Sequence, residues 1–408
     1  MGVKVLSLFD GMACGMLAMQ KAGVDVEEYT AYEVDKHAIK TATHNFPMIK
    51  ECGDVFKADF TQYKDIDYVL AGFPCTKFSI AQKNNRETKP YSGEGWDLFE
   101  QAWRAVKEAN PKYFLFENNK SMAKEVQNEI SKIVGFEPIC INSALVSAQN
   151  RQRLYWVGKR NANGTYSKVD VKQPKDRGIL LKDVLDGVTD RDKGRAVIGS
   201  TGRTTTREYF IKSQGNMSFK SVRVGALPRP NGELSTSQAM RVYSTEGKSV
   251  NLVSGGGMGG KTGLYAVPIK VGEVGNGGQG NRIYSVEGKS VSQTATSGGL
   301  GSNTGLYAIP VEFENDKPIK ATSCADGKTY TVYEVKDGLI TIKGKQYPIK
   351  LIDGYYIIRK LTVSECKRLQ TVPEWYEFPV SDTQAYKMLG NGWSVDVIVH
   401  LIESTLNC

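Results

Sequence analysis

Cys75 is the first residue whose type and setting suggest chemistry. It follows Gly72-Phe73-Pro74, at the end of the apolar run Asp67-Tyr68-Val69-Leu70-Ala71-Gly72. Such a run reads as a buried strand, and a loop at its carboxyl end can hold a thiol at the open edge of a sheet. A thiolate in that place is a nucleophile. A free cysteine is as a rule only a small buried hydrophobe, so the Pro74-Cys75 pair by itself decides little. Glu117, in Phe116-Glu117-Asn118-Asn119, sits at another strand end. A carboxylate there can serve a substrate or merely cap a helix. Gln149-Asn150-Arg151-Gln152-Arg153 leads into Leu154-Tyr155-Trp156-Val157. Read as a strand, its period of two places Gln149, Arg151 and Arg153 on one face, which could equally be a row of solvent-facing charges.

The elements that carry these residues alternate. Lys4 to Phe9 reads as a strand closing on Asp10-Gly11, and Ala13 to Lys21 as a helix. Glu28 to Tyr32 is a strand ending at Glu33, followed by a helix from Asp35 to Asn45. Leu98 to Ala109 is a helix, Tyr113 to Phe116 a strand ending at Glu117, and Met122 to Val134 a helix. The alternation predicts an α/β fold, a mostly parallel sheet with helices on both faces. Ligands of such sheets bind at the carboxyl ends of the strands, so Asp10, Glu33, Cys75 and Glu117 should line one edge.

A length of 408 residues exceeds one ordinary core and predicts two domains. Hydrophobic residues at 40% and charged residues at 24% suit a soluble globular chain. No long apolar run offers a membrane span, and the N-terminus shows no signal-peptide pattern. Seven cysteines without a Cys-x-x-Cys pair, and only three histidines, argue against a disulfide framework and against any metal site. The expected setting is a reducing, cytoplasmic one.

The net charge of +9 resides in residues 161–310, while the flanking segments nearly balance. That middle segment is also rich in glycine. A basic, Gly-rich stretch suggests a surface that meets nucleic acid; the plainer alternative is a solvated loop region. It contains a repeat. Arg241-Val-Tyr-Ser-Thr-Glu-Gly-Lys-Ser-Val250 recurs as Arg282-Ile-Tyr-Ser-Val-Glu-Gly-Lys-Ser-Val291, and Thr262–Pro268 recurs as Thr304–Pro310, a period of about forty residues. Each copy sets a Gly-rich loop between strand-like pieces, and a duplicated structural hairpin would look the same. From Gly327 to Ile358 short strands with turns at Asp337-Gly338 and Asp353-Gly354 extend the β structure. Helical patterning then returns, with a capping-box start at Thr362 and Glu365 and an apolar helix from Ser394 to Leu406 suited to pack on the first domain.

In this order the residues resemble the cytosine-5 DNA methyltransferase family, of bacterial or phage type. The resemblance rests on Phe9-Asp10-Gly11, Glu33, Gly53-Asp54-Val55, Gly72-Phe73-Pro74-Cys75, Glu117-Asn118, Gln149-x-Arg151-x-Arg153, Arg359-Lys-Leu-Thr362 through Arg368-Leu-Gln370, and Leu389-Gly390-Asn391. Each fragment is short, but the ordered set spans the chain. The turn Phe9 to Gly15 looks most like the de novo branch. The middle segment is similar to the target-recognition part of GCGC-type methyltransferases, most closely over Gly277 to Ser285, with Ser297-Gly298-Gly299 as a second loop.

The resemblance implies methyl transfer from S-adenosylmethionine to carbon-5 of a cytosine flipped out of double-stranded DNA. By it Cys75 is the nucleophile, Glu117 holds ring nitrogen 3 and the exocyclic amine, and Arg153 meets the base carbonyl. Phe9, Asp10, Gly11, Met12, Glu33, Val34, Asp54, Val55, Leu98 and Asn391 would bind the cofactor. Gln238, Arg241, Gln279 and Arg282 would contact DNA, and Arg151 would contact either the DNA backbone or the same loop as Arg153. A cognate restriction endonuclease in the same host or phage is an implied partner. The implied domains are a catalytic part over 1–177, a β-rich target-recognition part over 178–358, a hinge over 359–383 and a returning segment over 384–408.

The sequence also departs from the family pattern. Thr76 replaces a customary Gln, Asn119 a Val, Gly392-Trp393 a Ser-Val, and Ala13-Cys14 a glycine pair. These touch the cofactor pocket rather than the reacting groups. The competing readings are an RNA cytosine-5 methyltransferase and a non-catalytic DNA-binding regulator. An amino-group methyltransferase would carry an Asn/Asp-Pro-Pro-aromatic loop where Phe73-Pro74-Cys75 stands.

Overall fold

The computed structural model describes residues 2–74, 78, 87–186, 188–189, 223–226, 241–243, 270–274, 281–286, 289–293, 304–311, 320–323, 329–342, 344–349, 351, 353–359 and 361–407. The chain divides into two compact units. One comprises residues 1–175, 292–296 and 362–408, and the other 176–291 and 297–361.

The first unit is built on one sheet. Its strands are β1 (Val3–Leu8), β2 (Val26–Tyr32), β3 (Lys50–Glu51), β4 (Tyr68–Ala71), β5 (Tyr113–Asn119), β6 (Ile139–Asn142), β7 (Gln152–Arg160) and β8 (Tyr166–Lys168). They lie in the order β3-β2-β1-β4-β5-β7-β6, with β8 also on β7. From β3 to β5 neighbours are parallel; β7 runs antiparallel to β5, β6 and β8. The parallel half follows from the alternation of strand and helix, because each crossover returns the chain to the same edge.

The helices are α1 (Cys14–Lys21), α2 (Lys36–Asn45), α3 (Glu94–Ala109), α4 (Lys124–Val134), α5 (Val363–Leu369), α6 (Asp382–Asn391) and α7 (Val395–Leu406). In α3 the residues Trp96, Phe99, Ala102, Ala105, Val106 and Ala109 are buried, a stripe at helical spacing. That helix starts a turn earlier than its apolar pattern announces, and Glu94 and Asp97 in the first turn complement its dipole. In α4 the buried face is Val126, Ile130 and Val134, and Gly135 ends the helix in the left-handed region, where a side chain would be strained. The capping box expected at Thr362 is present. Thr362 Oγ1 accepts from Glu365 N at 3.2 Å and Glu365 Oε2 from Thr362 N at 2.7 Å. The core between sheet and helices holds Leu6, Leu8, Val69, Ala71, Phe99, Phe114, Phe116 and Trp156.

Two local readings need correction. β5 runs three residues beyond Phe116, because β7 pairs alongside it and satisfies the backbone as far as Asn119 opposite Arg153. β7 begins only at Gln152, so Gln149 and Arg151 precede the strand and do not share a strand face with Arg153. Helix α6 had no sequence forecast; its buried Ala385, Met388 and Leu389 run into Gly390-Asn391-Gly392, which reads as a loop.

The second unit is β-rich. Its larger sheet runs 270–273, 282–285, 306–311, 354–359, 329–336, 320–323 and 188–189, with 339–342 added on 329–336 and 345–348 on 339–342. Its core includes Val271, Ile283, Leu306, Ala308, Val335, Ile340 and Tyr356. The duplicated Arg-x-Tyr pieces are both strands with like partners. Arg241 pairs with Ala226 and Tyr243 with Arg223; Arg282 pairs with Glu273 and Tyr284 with Lys270. Both ladders shift register at a Val-Gly step, Val224-Gly225 and Val271-Gly272, so the repeat extends upstream of what the sequence pattern showed.

Candidate active site

The carboxyl ends of β1, β2, β4 and β5 converge on one cavity of the first unit. Beyond β1 the chain turns sharply. Phe9, Gly11 and Ala13 all take left-handed backbone angles, φ 56°, 61° and 58°. Glycine adopts this freely, whereas Phe9 and Ala13 must be held there by their surroundings. Glu33, at the end of β2, provides part of that hold. Its Oε2 accepts from Gly11 N at 2.8 Å, and its Oε1 from Val34 N and Asp35 N, each at 2.8 Å. One carboxylate thereby ties two strand ends together.

Asp10 is enclosed by the same turn. Its Oδ1 accepts from Ser7 Oγ at 2.6 Å and Tyr29 OH at 2.7 Å, while Oδ2 is buried without a partner. Burial pushes this carboxyl up to about 6; the Ser7 and Tyr29 hydroxyls oppose the rise and the Glu33 charge adds to it. Glu51, at the end of β3, has both carboxylate oxygens buried without partners. Burial raises it to about 7, with Asp10 and Glu33 adding repulsion. Glu51 belongs to no motif, and only its place at a parallel strand end could have singled it out.

Glu117 stands on β5 opposite Tyr155 of β7, which makes Arg153 its diagonal cross-strand neighbour. Arg153 Nε lies 3.0 Å from Glu117 Oε1, though its N–H is not aligned with that oxygen, so the contact is an ion pair rather than a hydrogen bond. The pair is almost wholly buried, Glu117 at 7% and Arg153 at 8% exposure. Beside it, Asn118 Nδ2 donates to Phe73 O at 3.0 Å, and the Phe73 ring packs on Phe99 and Phe116. The stretch up to Pro74 is therefore pinned against the end of β5. Cys75 lies outside the described residues.

Of the residues expected at the cofactor, Phe9, Asp10, Gly11, Met12, Glu33 and Asn391 line the cavity, and Phe73, Pro74 and Glu117 share it. Four others lie elsewhere. Val34 is 72% exposed and Val55 is buried in the core. Asp54 accepts from Phe56 N at 3.0 Å and caps a short 3-10 turn, and Leu98 packs on the core from α3.

A family model described as C-5 cytosine-specific DNA methylase matches residues 3–407. The chain belongs to that family. The orphan methyltransferase M.SPRI of Bacillus phage SPR is 27% identical over 462 aligned positions, covering 99% of this chain and 98% of its own. The type II methyltransferase M.HhaI of Haemophilus parahaemolyticus is 27% identical over 277 positions, 65% of this chain and 79% of its own. At the level of fold, the Entamoeba histolytica methyltransferase EhMeth superposes with a TM-score of 0.51 at 12% identity, covering 100% of this chain and 98% of its own.

The protein is thus a DNA (cytosine-5) methyltransferase, and its family implies S-adenosylmethionine as methyl donor. The cavity suits such a group. The unpartnered Asp10 Oδ2 and the Glu33 carboxylate lie on its wall, which favours a ligand carrying positive charge. No helix among the described residues is long and apolar enough to cross a membrane.

Arg151 of this methylase is not where a DNA contact would be. It is 3% exposed, and its Nη2 donates to Gly390 O at 3.0 Å and Gly392 O at 2.9 Å. Its Nη1 reaches Gln293 O at 3.3 Å and Ser292 Oγ at 3.4 Å. This guanidinium clamps the turn after α6 and the returning residues Ser292 and Gln293, a role that strand periodicity could not foretell. Arg282 is exposed on its strand in the second unit. Arg241 lies in the strand Arg241–Tyr243, and its side chain falls outside the described residues, as do Gln238 and Gln279. Lys387, whose Nζ donates to Asp35 Oδ2 at 2.7 Å, and Trp393 line the cavity without having been foreseen.

Proposed function

We propose that the enzyme methylates carbon-5 of a cytosine flipped out of duplex DNA, through a covalent adduct at Cys75. The observation that carries this reading is the buried Glu117–Arg153 pair, whose Glu117 lines the same cavity as Asp10, Glu33 and Pro74. A stacked base cannot reach a buried carboxylate, so the cytosine must leave the helix. Glu117 then binds ring nitrogen 3 and the exocyclic amine, and Arg153 steadies the carboxylate and meets the base carbonyl. The Cys75 thiolate adds to carbon-6, which makes carbon-5 an enamine nucleophile. S-adenosylmethionine, when bound, supplies the electrophilic methyl group. Loss of the carbon-5 proton to a base, which can be water, then expels the Cys75 thiolate.

In this reading residues 1–177 are catalytic, with the C-terminal segment completing the cofactor side. Residues 178–358 recognise the target, with Gln279 and Arg282 as the main reading pair and Gln238 and Arg241 as a second copy. In this reading a cognate restriction endonuclease of the same host or phage is its partner, as the type II relatives suggest. Duplex DNA containing 5-fluorocytosine tests the mechanism, because fluorine cannot leave as a proton does. With S-adenosylmethionine present, a denaturation-resistant adduct should form and map to Cys75. No adduct on a site that the enzyme methylates would refute the covalent route.

A further inference from the structure

We propose that Trp393 is a positioning residue for Glu117, holding the carboxylate from the cofactor side of the cavity. The inference rests on the reading of Glu117 as the ligand of the base. Trp393 is one of the departures from the family pattern noted in the sequence, and a wall of the cavity is its plain structural role. Its indole adds something a wall does not need. Nε1 donates to Glu117 Oε2 at 3.0 Å, while Arg153 faces Oε1. The indole is thus a directional hydrogen-bond donor to one carboxylate oxygen, while the other faces the guanidinium charge without an aligned N–H. A charge contact alone leaves the broad terminal torsion of a glutamate free to turn, whereas a directional hydrogen bond on the second oxygen fixes its plane. An ionised carboxylate offers about four acceptor positions, so a cytosine edge can still be bound.

The surroundings are shaped for this contact. A Cβ on Gly72 would fall 2.5 Å from Trp393 Nε1, so only glycine at that strand end lets the indole reach Glu117. The backbone on both sides of Trp393 is pinned. Gly392 O accepts from Arg151, Ser143 Oγ donates to Ser394 Oγ at 2.8 Å, and Ser394 Oγ in turn donates to Gln370 Oε1 at 2.8 Å. The indole is therefore delivered by a rigid turn, and the cofactor wall and the base-binding carboxylate share one side chain.

The test is a double-mutant cycle of Trp393→Phe and Glu117→Gln on the single-turnover methylation rate of the full enzyme. Trp393→Phe keeps an aromatic wall and removes the donor. It should slow transfer roughly tenfold or more, the worth of a hydrogen bond to a charged group. In the Glu117→Gln background, where the acceptor is neutral, the same change should cost several-fold less. Calorimetry with S-adenosylhomocysteine should show Trp393→Phe near wild type and Trp393→Ala weakened. In the cofactor-free protein, the Trp393 indole N–H resonance should move on Glu117→Gln. Equal slowing in both backgrounds, no slowing at all, or an unmoved resonance would overturn the positioning role. A wild-type rate for Glu117→Gln alone would instead bring down the reading of Glu117, and this inference with it.

Discussion

Replacing Asp10 with Asn tests whether the cavity is built around an acid whose charge burial disfavours. The Asp10 carboxyl rises from its ordinary 3.8 to about 6, chiefly through burial. At about 1.4 kcal/mol per pH unit, the ionised form is disfavoured in the folded protein by about 3 kcal/mol. Below pH 3.8 the group is protonated whether the chain is folded or not, so the Asp and Asn enzymes should match there. As pH rises towards about 6 the unfolded chain releases its proton first, and the wild-type enzyme loses that stability. Asn keeps an oxygen for Ser7 and Tyr29 and bears no charge. Asp10→Asn should therefore be more stable than wild type by about 2–3 kcal/mol at pH 8, and nearly equal to it at pH 4. Urea unfolding of the cofactor-free enzymes at several pH values measures the difference. The gain has a cost in binding: affinity for cationic S-adenosylmethionine should fall in the variant, and its rise with pH through about 6 should flatten. An Asn enzyme no more stable than wild type at pH 8 would refute the reasoning, because the enclosed carboxylate would then carry no penalty.

The guanidinium of Arg151 should matter for stability rather than for DNA. Arg151→Ala should cost about 3 kcal/mol or more by urea unfolding, with Lys a poor substitute, and leave the salt dependence of DNA binding unchanged. A stable variant with a shallower salt slope would return Arg151 to the DNA surface. Arg282→Ala should relax the methylated sequence at a cost of about 1–3 kcal/mol if the side chain reads a base edge. Loss of a phosphate contact would instead weaken all sequences alike and lower the salt slope by about one. Sequencing of methylated sites compares it with Arg241→Ala; if only Arg241→Ala erased the preference, the reading copy would be the other one.

The parallel half of the first sheet was legible because its signals are local. Apolar runs end at Asp10, Glu33 and Gly72, and helices with apolar residues at spacings of three and four follow them. The duplicated Arg-x-Tyr strands were equally plain as repeats, although their shared register with the upstream Val-Gly strands needed the ladder itself. Helix α6 was missed because its glycine-rich end outweighed its apolar stripe. The extension of β5 was missed because what prolongs it is a partner strand more than thirty residues away.

The chain by itself determined the family, the alternation that makes the sheet, and the presence of Glu117 and Arg153, since each rests on residue type and order. Only the tertiary structure decided what those groups do to one another. The diagonal register of β5 and β7 makes Glu117 and Arg153 a pair, burial lifts Asp10 and Glu51, and the turn after α6 brings Trp393 to Glu117. It also moved Arg151 from an expected DNA contact to an interior clamp. The physical reason is one of range. Propensity and periodicity act over a turn or a strand, whereas desolvation and the direction of a hydrogen bond depend on segments that meet only when the chain has folded.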